Sequence, residues 1–434
     1  MNQYKAYPAY KDSDIQWIGK VPEHWKVAQI KRISTLNPKK SSLTIERDAL
    51  CTFLPMEKLR TNAVTLDETR TIEDVYDGYS YFCNRDILIA KVTPCFENRN
   101  IAVADGLVNG VGFGSTEINV IRTNEKGHNR FLYYRLQEEQ FRKIAISEMR
   151  GTGGLKRVPT EIFESFSIGF PDIEEQAAIA ATLDRETARI DALIQKKTRF
   201  IELLKEKREA LITHAVTKGL DPKVKMKDSG VEWIGQVPEH WEVKPFFALV
   251  TELKRKNTGL IETNILSLSY GNIIQKPKSR NMGLTPESYE TYQIVEAGEM
   301  VFRFTDLQND KRSLRSAQVT QRGIITSAYL AVKPHGIDST YFAWLMRSYD
   351  LCKVFYAMGG GLRQSLKFED VKRLPILIPS HEQQANIANA IDVETARIDT
   401  LVDKTEQSIT LLKERRAAFI TAAVTGQIDL RGKQ

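Results

Sequence analysis

Between Glu174 and Thr217 the chain runs without glycine or proline, and apolar residues recur at heptad-like spacing: Ile179, Leu183, Ile190, Leu193, Ile194, Ile201, Leu204 and Leu211. The same pattern returns between Glu382 and Thr425, at Ile387, Ile391, Ile398, Leu401, Val402, Ile409, Leu412 and Phe419. An apolar stripe one face wide, with charge elsewhere, predicts an amphipathic helix in each segment. At 1.5 Å per residue, roughly 43 residues span about 65 Å. Proline stands before each start, and "TKGLDP" or "TGQIDL" comes after each end as a stop. A helix of this length with one apolar stripe needs a partner, and the other copy supplies it in a two-stranded coiled coil. The alternative is two separate helices, each packed on its own globular domain, although such helices seldom run to about twelve turns.

Elsewhere the pattern is mixed. Strands are predicted at "DILIAKV" (Asp86–Val92), "INVIRT" (Ile118–Thr123), "NILSLSY" (Asn264–Tyr270), "EMVFRFT" (Glu299–Thr305) and "AYLAVKP" (Ala328–Pro334). Aromatic helix candidates come next, "NRFLYYRLQEEQFRKIA" and "STYFAWLMRSYDLCKVFYA". After each stand glycines with basic neighbours, "MRGTGGLKR" and "MGGGLRQS". These clusters read either as a flexible hairpin or helix stop, or as a phosphate-touching loop.

The order of elements repeats because the sequence does. "KDSDIQWIGKVPEHWKV" (Lys11–Val27) and "KDSGVEWIGQVPEHWEV" (Lys227–Val243) agree at twelve of seventeen positions, offset by 216. Four of the five tryptophans lie in these two boxes. The helical segments Pro171–Thr217 and Pro379–Thr425 align at an offset of 208. Duplication of a whole half accounts for this arrangement. The expected division is 1–170, a variable domain carrying the box at 11–27; 171–217, the first long helix; 218–378, a linker and second variable domain with the box at 227–243; and 379–434, the second long helix and tail. Tail and linker match each other, and the start of the chain matches the residues just after the linker. The two termini are therefore expected close together, with Tyr10 near Gly432.

A chain of 434 residues suggests several domains, and 42% hydrophobic with 27% charged residues suits a folded soluble protein. Neither a membrane span nor a secretion signal is apparent. Cys51, Cys83, Cys95 and Cys352 are widely spaced and read as reduced cytosolic thiols, without a CxxC pair. These features predict a cytoplasmic protein. No P-loop, HExxH, metal-ligand spacing or adenine-methyltransferase Asn-Pro-Pro-aromatic stretch occurs. "GVGFGS" (Gly110–Ser115) lacks the frame of a dinucleotide loop. The carboxylates of "PDIEEQ" are expected to serve the helix dipole, and His24 and His240 to be packing or capping residues.

Net charge is +7, and between Val243 and Ile378 Lys and Arg exceed Asp and Glu by about seven. Basic residues interleaved with small polar ones in predicted loops have the chemistry to reach phosphates and base edges. The candidates in the first half are Lys39, Lys40, Lys91, Arg99, Arg150, Lys156 and Arg157. In the second half they are Lys254, Arg255, Lys256, Lys276, Lys278, Arg280, Arg303, Lys311, Arg312, Arg315 and Arg363. One such cluster alone reads as solvated surface, whereas several in both halves point to a bivalent nucleic-acid binder.

Three features together resemble the specificity subunit of type I restriction-modification systems. They are the repeated "WIG-x-VPEHW" box (Trp17–Trp25, Trp233–Trp241), the "P-x-x-E-x-Q-x-x-I-A" helix entry (Pro171–Ala180, Pro379–Ala388) and the glycine-plus-basic turn (Gly151–Arg157, Gly359–Arg363). The resemblance covers the whole chain. It implies an α+β fold: two α/β target-recognition domains separated by a long antiparallel two-helix coiled coil, in a pseudo-two-fold, circular arrangement. It further implies double-stranded DNA as ligand, two methyltransferase subunits and then restriction subunits as partners, and no membrane. Trp17, Trp25, Trp233, Trp241, Gln176 and Gln384 would dock the subunits. S-adenosylmethionine, ATP and Mg would belong to those partners, and this chain itself would hold no cofactor or metal and catalyse nothing. The alternative is a bivalent protein scaffold without DNA contact.

Overall fold

The computed structural model describes residues 4–276, 288–307, 310, 313–358 and 365–431. The chain divides into two units, one of Met1–Lys196 with Gln407–Gln434, the other of Lys197–Glu406. Two long helices, Ile173–Lys218 and His381–Val424, each contribute one end to each unit.

Capping fixes where these helices begin. The Asp172 carboxylate accepts from the Glu175 N–H at 2.9 Å, and the Ser380 hydroxyl accepts from the Gln383 N–H at 3.3 Å. After each helix comes a glycine with positive φ, Gly219 at 79° and Gly426 at 75°, the left-handed turn that the predicted stops require. In the first unit the beginning of one helix (Ile179, Ala180, Leu183) packs with the end of the other (Phe419, Ile420, Ala423, Val424). In the second unit Ile212, Ala215 and Val216 pack with Ile387, Ala388 and Ile391. Within each unit the pairing is therefore antiparallel.

The first unit holds two four-stranded sheets. One orders Ile101–Val103, Ile87–Ala90, Ile118–Thr123 and Ser34–Leu36, all antiparallel. The other orders Thr69–Thr71, Leu50–Leu54, Val111–Gly114 and Ser80–Cys83, with its central pair parallel. Ile87, Ile89 and Ile121 face the main core, while Leu88 and Val120 face a second one, the alternation of a sheet buried on both sides. In the second unit the corresponding antiparallel sheet orders Val250–Glu252, Leu330–Pro334, Met300–Phe302 and Ser316–Gln318. In each unit a short ladder, Lys26–Gln29 on Ser167–Phe170 or Glu242–Pro245 on Pro375–Ile378, ties the box to the strand that enters the long helix.

The aromatic helix candidates are broken, contrary to expectation. Asn129–Arg135 ends, and Glu138 then caps Glu139–Ser147 by accepting from the N–H groups of Gln140 and Phe141 at 2.8 and 3.1 Å. Ser339–Leu351 ends likewise before Lys353, which adopts φ 60°. "MRGTGGLKR" is a β-hairpin, Arg150–Thr152 on Leu155–Arg157. Gly153 and Gly154, with φ 63° and 83°, form the two-residue turn that needs two left-handed residues. The corresponding cluster in the second half, Gly359–Arg363, lies outside the described residues, as does Gly432. Tyr10 donates its hydroxyl to the Gly426 carbonyl at 3.0 Å, and Lys5 bridges Asp429, so the chain's first and last described segments meet in one unit. Among the described residues no helix is long and apolar enough to cross a membrane.

Candidate functional site

The repeated box closes over the start of a long helix. In each copy one tryptophan faces inward and the other outward, as the packing dictates. Trp25 and Trp241 are 0% and 1% exposed, whereas Trp17 and Trp233 are 45% and 44% exposed. Trp17 stacks on Phe166 at 5.9 Å, and Trp233 meets Tyr349 edge-on at 4.7 Å. The expected docking role is therefore corrected for Trp25, which is enclosed with its indole bonded to Glu175, whereas Trp241, equally enclosed, lines a small cavity.

The same correction applies to Gln176 and Gln384, which are buried. Gln176 accepts from the His128 N–H at 2.9 Å and donates to the carbonyls of Lys126 and Pro171 at 3.0 and 2.9 Å. Gln384 accepts from the Asp338 N–H at 2.7 Å and donates to the Pro379 carbonyl at 2.9 Å. An amide carries both donor and acceptor, so one side chain satisfies backbone groups of both signs in a dry place. This is the physical reason for the Gln in both helix entries. Gln176→Ala and Gln384→Ala are each expected to cost about 2–3 kcal/mol by orphaning those groups. Gln195→Ala, at an exposed position of the same helix as Gln176, should stay within about 0.5 kcal/mol of wild type in urea unfolding.

Sequence reasoning missed Glu175. Its carboxylate is buried and accepts three hydrogen bonds, from Tyr7 (2.7 Å), Trp25 (3.1 Å) and His24 (2.8 Å). Burial, with this hydrogen bond, pushes the Tyr7 phenol far above its usual range. At the corresponding place in the second half, His240 meets Gln383 at 2.9 Å. Glu174, the neighbouring carboxylate, is exposed at the helix start, where the dipole reading holds. Tyr7, His24 and Trp25 stand some 150 residues or more before Glu175, and no local pattern signals that they converge on it.

Among the basic candidates of the first unit, the structure gathers one group. The hairpin is sewn to the loop after Ala90. Thr93 N–H donates to the Lys156 carbonyl at 2.9 Å, Val158 N–H donates to the Lys91 carbonyl at 2.8 Å, and Val92 bridges Arg157. This brings Lys91, Arg150, Lys156 and Arg157 onto one exposed element and its base. Glu117 pairs with Arg157 at 2.6 Å, and that hydrogen bond holds the Glu117 carboxyl below its usual range. Arg150 and Lys156 carry no side-chain hydrogen bond or ion pair among the described residues. Arg99 pairs with Glu139 at 3.1 Å. Lys39 and Lys40 lie elsewhere, and the Lys40 ammonium donates to the Tyr76 carbonyl against the second sheet.

The second unit's candidates are more dispersed. Lys254 pairs with Glu252 at 2.8 Å, Arg255 pairs with the buried Glu299, Lys256 bridges Gln293, and Lys276 is exposed at the end of the hairpin Leu266–Ser269 and Asn272–Gln275. Arg303 approaches Asp310 at 4.0 Å. Arg315 is a correction: it is fully buried, and its guanidinium donates to the Thr305 carbonyl at 3.0 Å and to the Tyr356 hydroxyl at 3.1 Å, so it shapes a loop from within. Lys278, Arg280, Lys311, Arg312 and Arg363 lie outside the described residues. A polar cleft missed from sequence, of about 280 Å³, includes Tyr270, Asn272, Gln318, Trp344 and Arg347. Tyr270 is 77% exposed at the hairpin tip, the kind of aromatic that bases stack on.

Near this cleft Asp350 is buried with one carboxylate oxygen unpaired among the described residues, while the other accepts from the Arg315 N–H. Burial pushes its carboxyl up to about 6. The folded unit thus holds a proton that the unfolded chain releases near pH 4. Stability from this group is full below about pH 4 and is lost as the pH rises through about 6, by about 3 kcal/mol in all. Asp350→Asn keeps the acceptor and removes the charge. The variant-minus-wild-type difference in melting temperature is expected to grow from pH 4 to pH 7, and a flat difference would contradict the assignment.

A family model described as "Type I restriction modification DNA specificity domain" matches residues 22–203. The chain is 34% identical over 195 residues to the type I restriction enzyme EcoAI specificity subunit of Escherichia coli, a match covering 44% of this chain. It spans 33% of that relative's own length. In fold it is similar, with a TM-score of 0.70 and 13% identity, to a chain from "Structural basis underlying complex assembly and conformational transition of the type I R-M system", covering 94% of this chain and 99% of that one. The HsdS subunit from Thermoanaerobacter tengcongensis gives a TM-score of 0.55 at 14% identity, over 94% of this chain and 98% of that one. Residues 22–203 thus match the type I restriction modification DNA specificity domain, and the α+β fold with its long helices is similar to that of solved chains of such systems.

Proposed function

We propose that this chain is the sequence-reading, non-catalytic subunit of a type I restriction-modification complex. Each variable region reads one half of a bipartite double-stranded DNA site. Two methyltransferase subunits dock on the repeated box and helix entry, with the exposed Trp17 and Trp233 as anchors, and restriction subunits join them. S-adenosylmethionine, ATP and Mg chemistry belongs to those partners. The observation that carries this reading is the unevenness of the duplication. Boxes and helix entries are nearly alike, while the regions between them differ in sequence and in the placement of cationic groups. Two equal partners require two equal docks, whereas two different half-sites require two different readers. The long helices set the interval between half-sites, which on one face of a duplex is about one turn, ~34 Å, or a little more.

The test is selection from a library of random duplexes by the purified chain together with its methyltransferase subunit. The expected product is a split motif, two short blocks around a fixed unspecified gap. Insertion of residues near Lys197 and Thr405 should change the gap and leave the blocks unchanged. A single contiguous block would leave one reader, and no enrichment at low salt would leave a protein scaffold.

A further inference from the structure

The two halves differ at one place beside the box. In the first unit the segment before the box folds back over it. Tyr7 is buried there, with its ring 5.6 Å from His24 and 6.0 Å from Trp25, its hydroxyl on Glu175, and Arg431 over its outer face at 4.9 Å. Ten residues, Met1–Tyr10, stand before the first box and nine more after Thr425, whereas only the nine residues Lys218–Met226 lie between Thr217 and the second box. The linker after Thr217 stands for the tail after Thr425, with Asp221 for Asp429 and Lys223 for Arg431, and no tyrosine precedes the second box in that linker.

What remains is a cavity of about 150 Å³ whose walls include Asp221, Pro238, His240, Trp241, Gln383 and Asn386. Its mouth is marked by the exposed His240 and Asp221. Trp241 is enclosed, yet its indole N–H has no hydrogen-bond partner among the described residues, whereas the matching N–H of Trp25 reaches Glu175. Gln383 replaces Glu175 and holds His240, with its amide donors to spare.

We propose that this cavity receives a tyrosine side chain carried on an extended segment of a partner protein. The ring takes the place that Tyr7 fills in the first half. The phenol oxygen accepts from the Trp241 indole N–H and from the spare Gln383 amide N–H. A second copy of this chain is the poorer donor, because its own Tyr7 is committed within its own unit. The inference stands apart from DNA reading, and its test contains no DNA.

The full chain, labelled with ¹⁵N-tryptophan, is titrated with a blocked peptide of the sequence Tyr4–Tyr10, YKAYPAY, and the Trp241 indole signal is assigned with Trp241→Phe. A saturable shift of that signal is expected. A peptide with phenylalanine in place of the central tyrosine should bind about tenfold more weakly, for loss of the buried hydrogen bonds. Asn386→Trp, at an exposed helix position on the cavity wall, should abolish the shift while leaving the other indole signals in place. Val224→Trp, from the linker side, should do the same. The proposal is overturned by no shift at Trp241 at millimolar peptide, by equal affinity of the two peptides, by a shift at Trp25 alone, or by binding that survives both blocking variants.

Discussion

Replacing Trp25 with alanine is expected to destabilise the first unit by about 3–5 kcal/mol, a large part of the roughly 5–15 kcal/mol that a folded unit commonly has. The indole shares its cluster with Tyr7, Val21, Phe131, Ile168 and Ile179, and the hole left by its removal cannot close without moving the helix start. Trp241→Ala should cost a similar amount in the second unit, where Val237, Phe246 and Ile387 share its cluster. The phenylalanine variants separate packing from hydrogen bonding. Trp25→Phe removes a donor to the buried Glu175 and should cost about 1–2 kcal/mol more than Trp241→Phe, whose N–H is unpaired. Urea unfolding of the four variants measures this. Equal costs for the two phenylalanine variants would contradict the three-donor arrangement at Glu175.

Neutralising Arg150 and Lys156 together is expected to weaken DNA binding by about 10- to 100-fold at low salt and to leave folding intact. Both are exposed on the Gly153–Gly154 hairpin without a competing carboxylate, so nothing structural depends on their charge. Each phosphate contact contributes about −0.9 to the slope of log affinity against log salt, so the slope should fall in magnitude by about 2. Arg157→Ala is a different perturbation. It strands Glu117, whose negative charge would then face the phosphates without its cation. It should therefore weaken binding more than loss of one cation alone. An unchanged salt slope in the Arg150, Lys156 double variant would place the hairpin away from phosphates.

The elements that could be read from sequence are those whose signal is local. Ile118–Thr123 is a strand with the bounds its residues suggest, and the two long helices arise from uninterrupted apolar spacing with caps at Asp172 and Ser380. The break after Arg135 was hidden because Glu138 caps a new helix while paired with the buried Arg135 at 2.6 Å, and that pairing depends on burial. The left-handed Lys353 was hidden for a similar reason, since no glycine marks the turn.

The candidate site divides along the same line. By itself the sequence determined that the chain is duplicated, that its halves share a box and a helix entry, and that cationic loops lie between them. Each of these is a matter of order along the chain. Only the tertiary structure decided which member of a repeated motif faces inward. Trp17 and Trp25 belong to one nonapeptide, yet one is half exposed and the other enclosed. Glu174 and Glu175 are adjacent, yet one meets solvent and the other gathers Tyr7, His24 and Trp25. Arg315 and Lys156 are alike in charge, yet one is bonded inside a loop and the other stands free on a hairpin. The reason is physical. Burial and hydrogen-bond partnership are set by residues brought near from distant parts of the chain, and a one-dimensional pattern records which groups are present but not which of them meet.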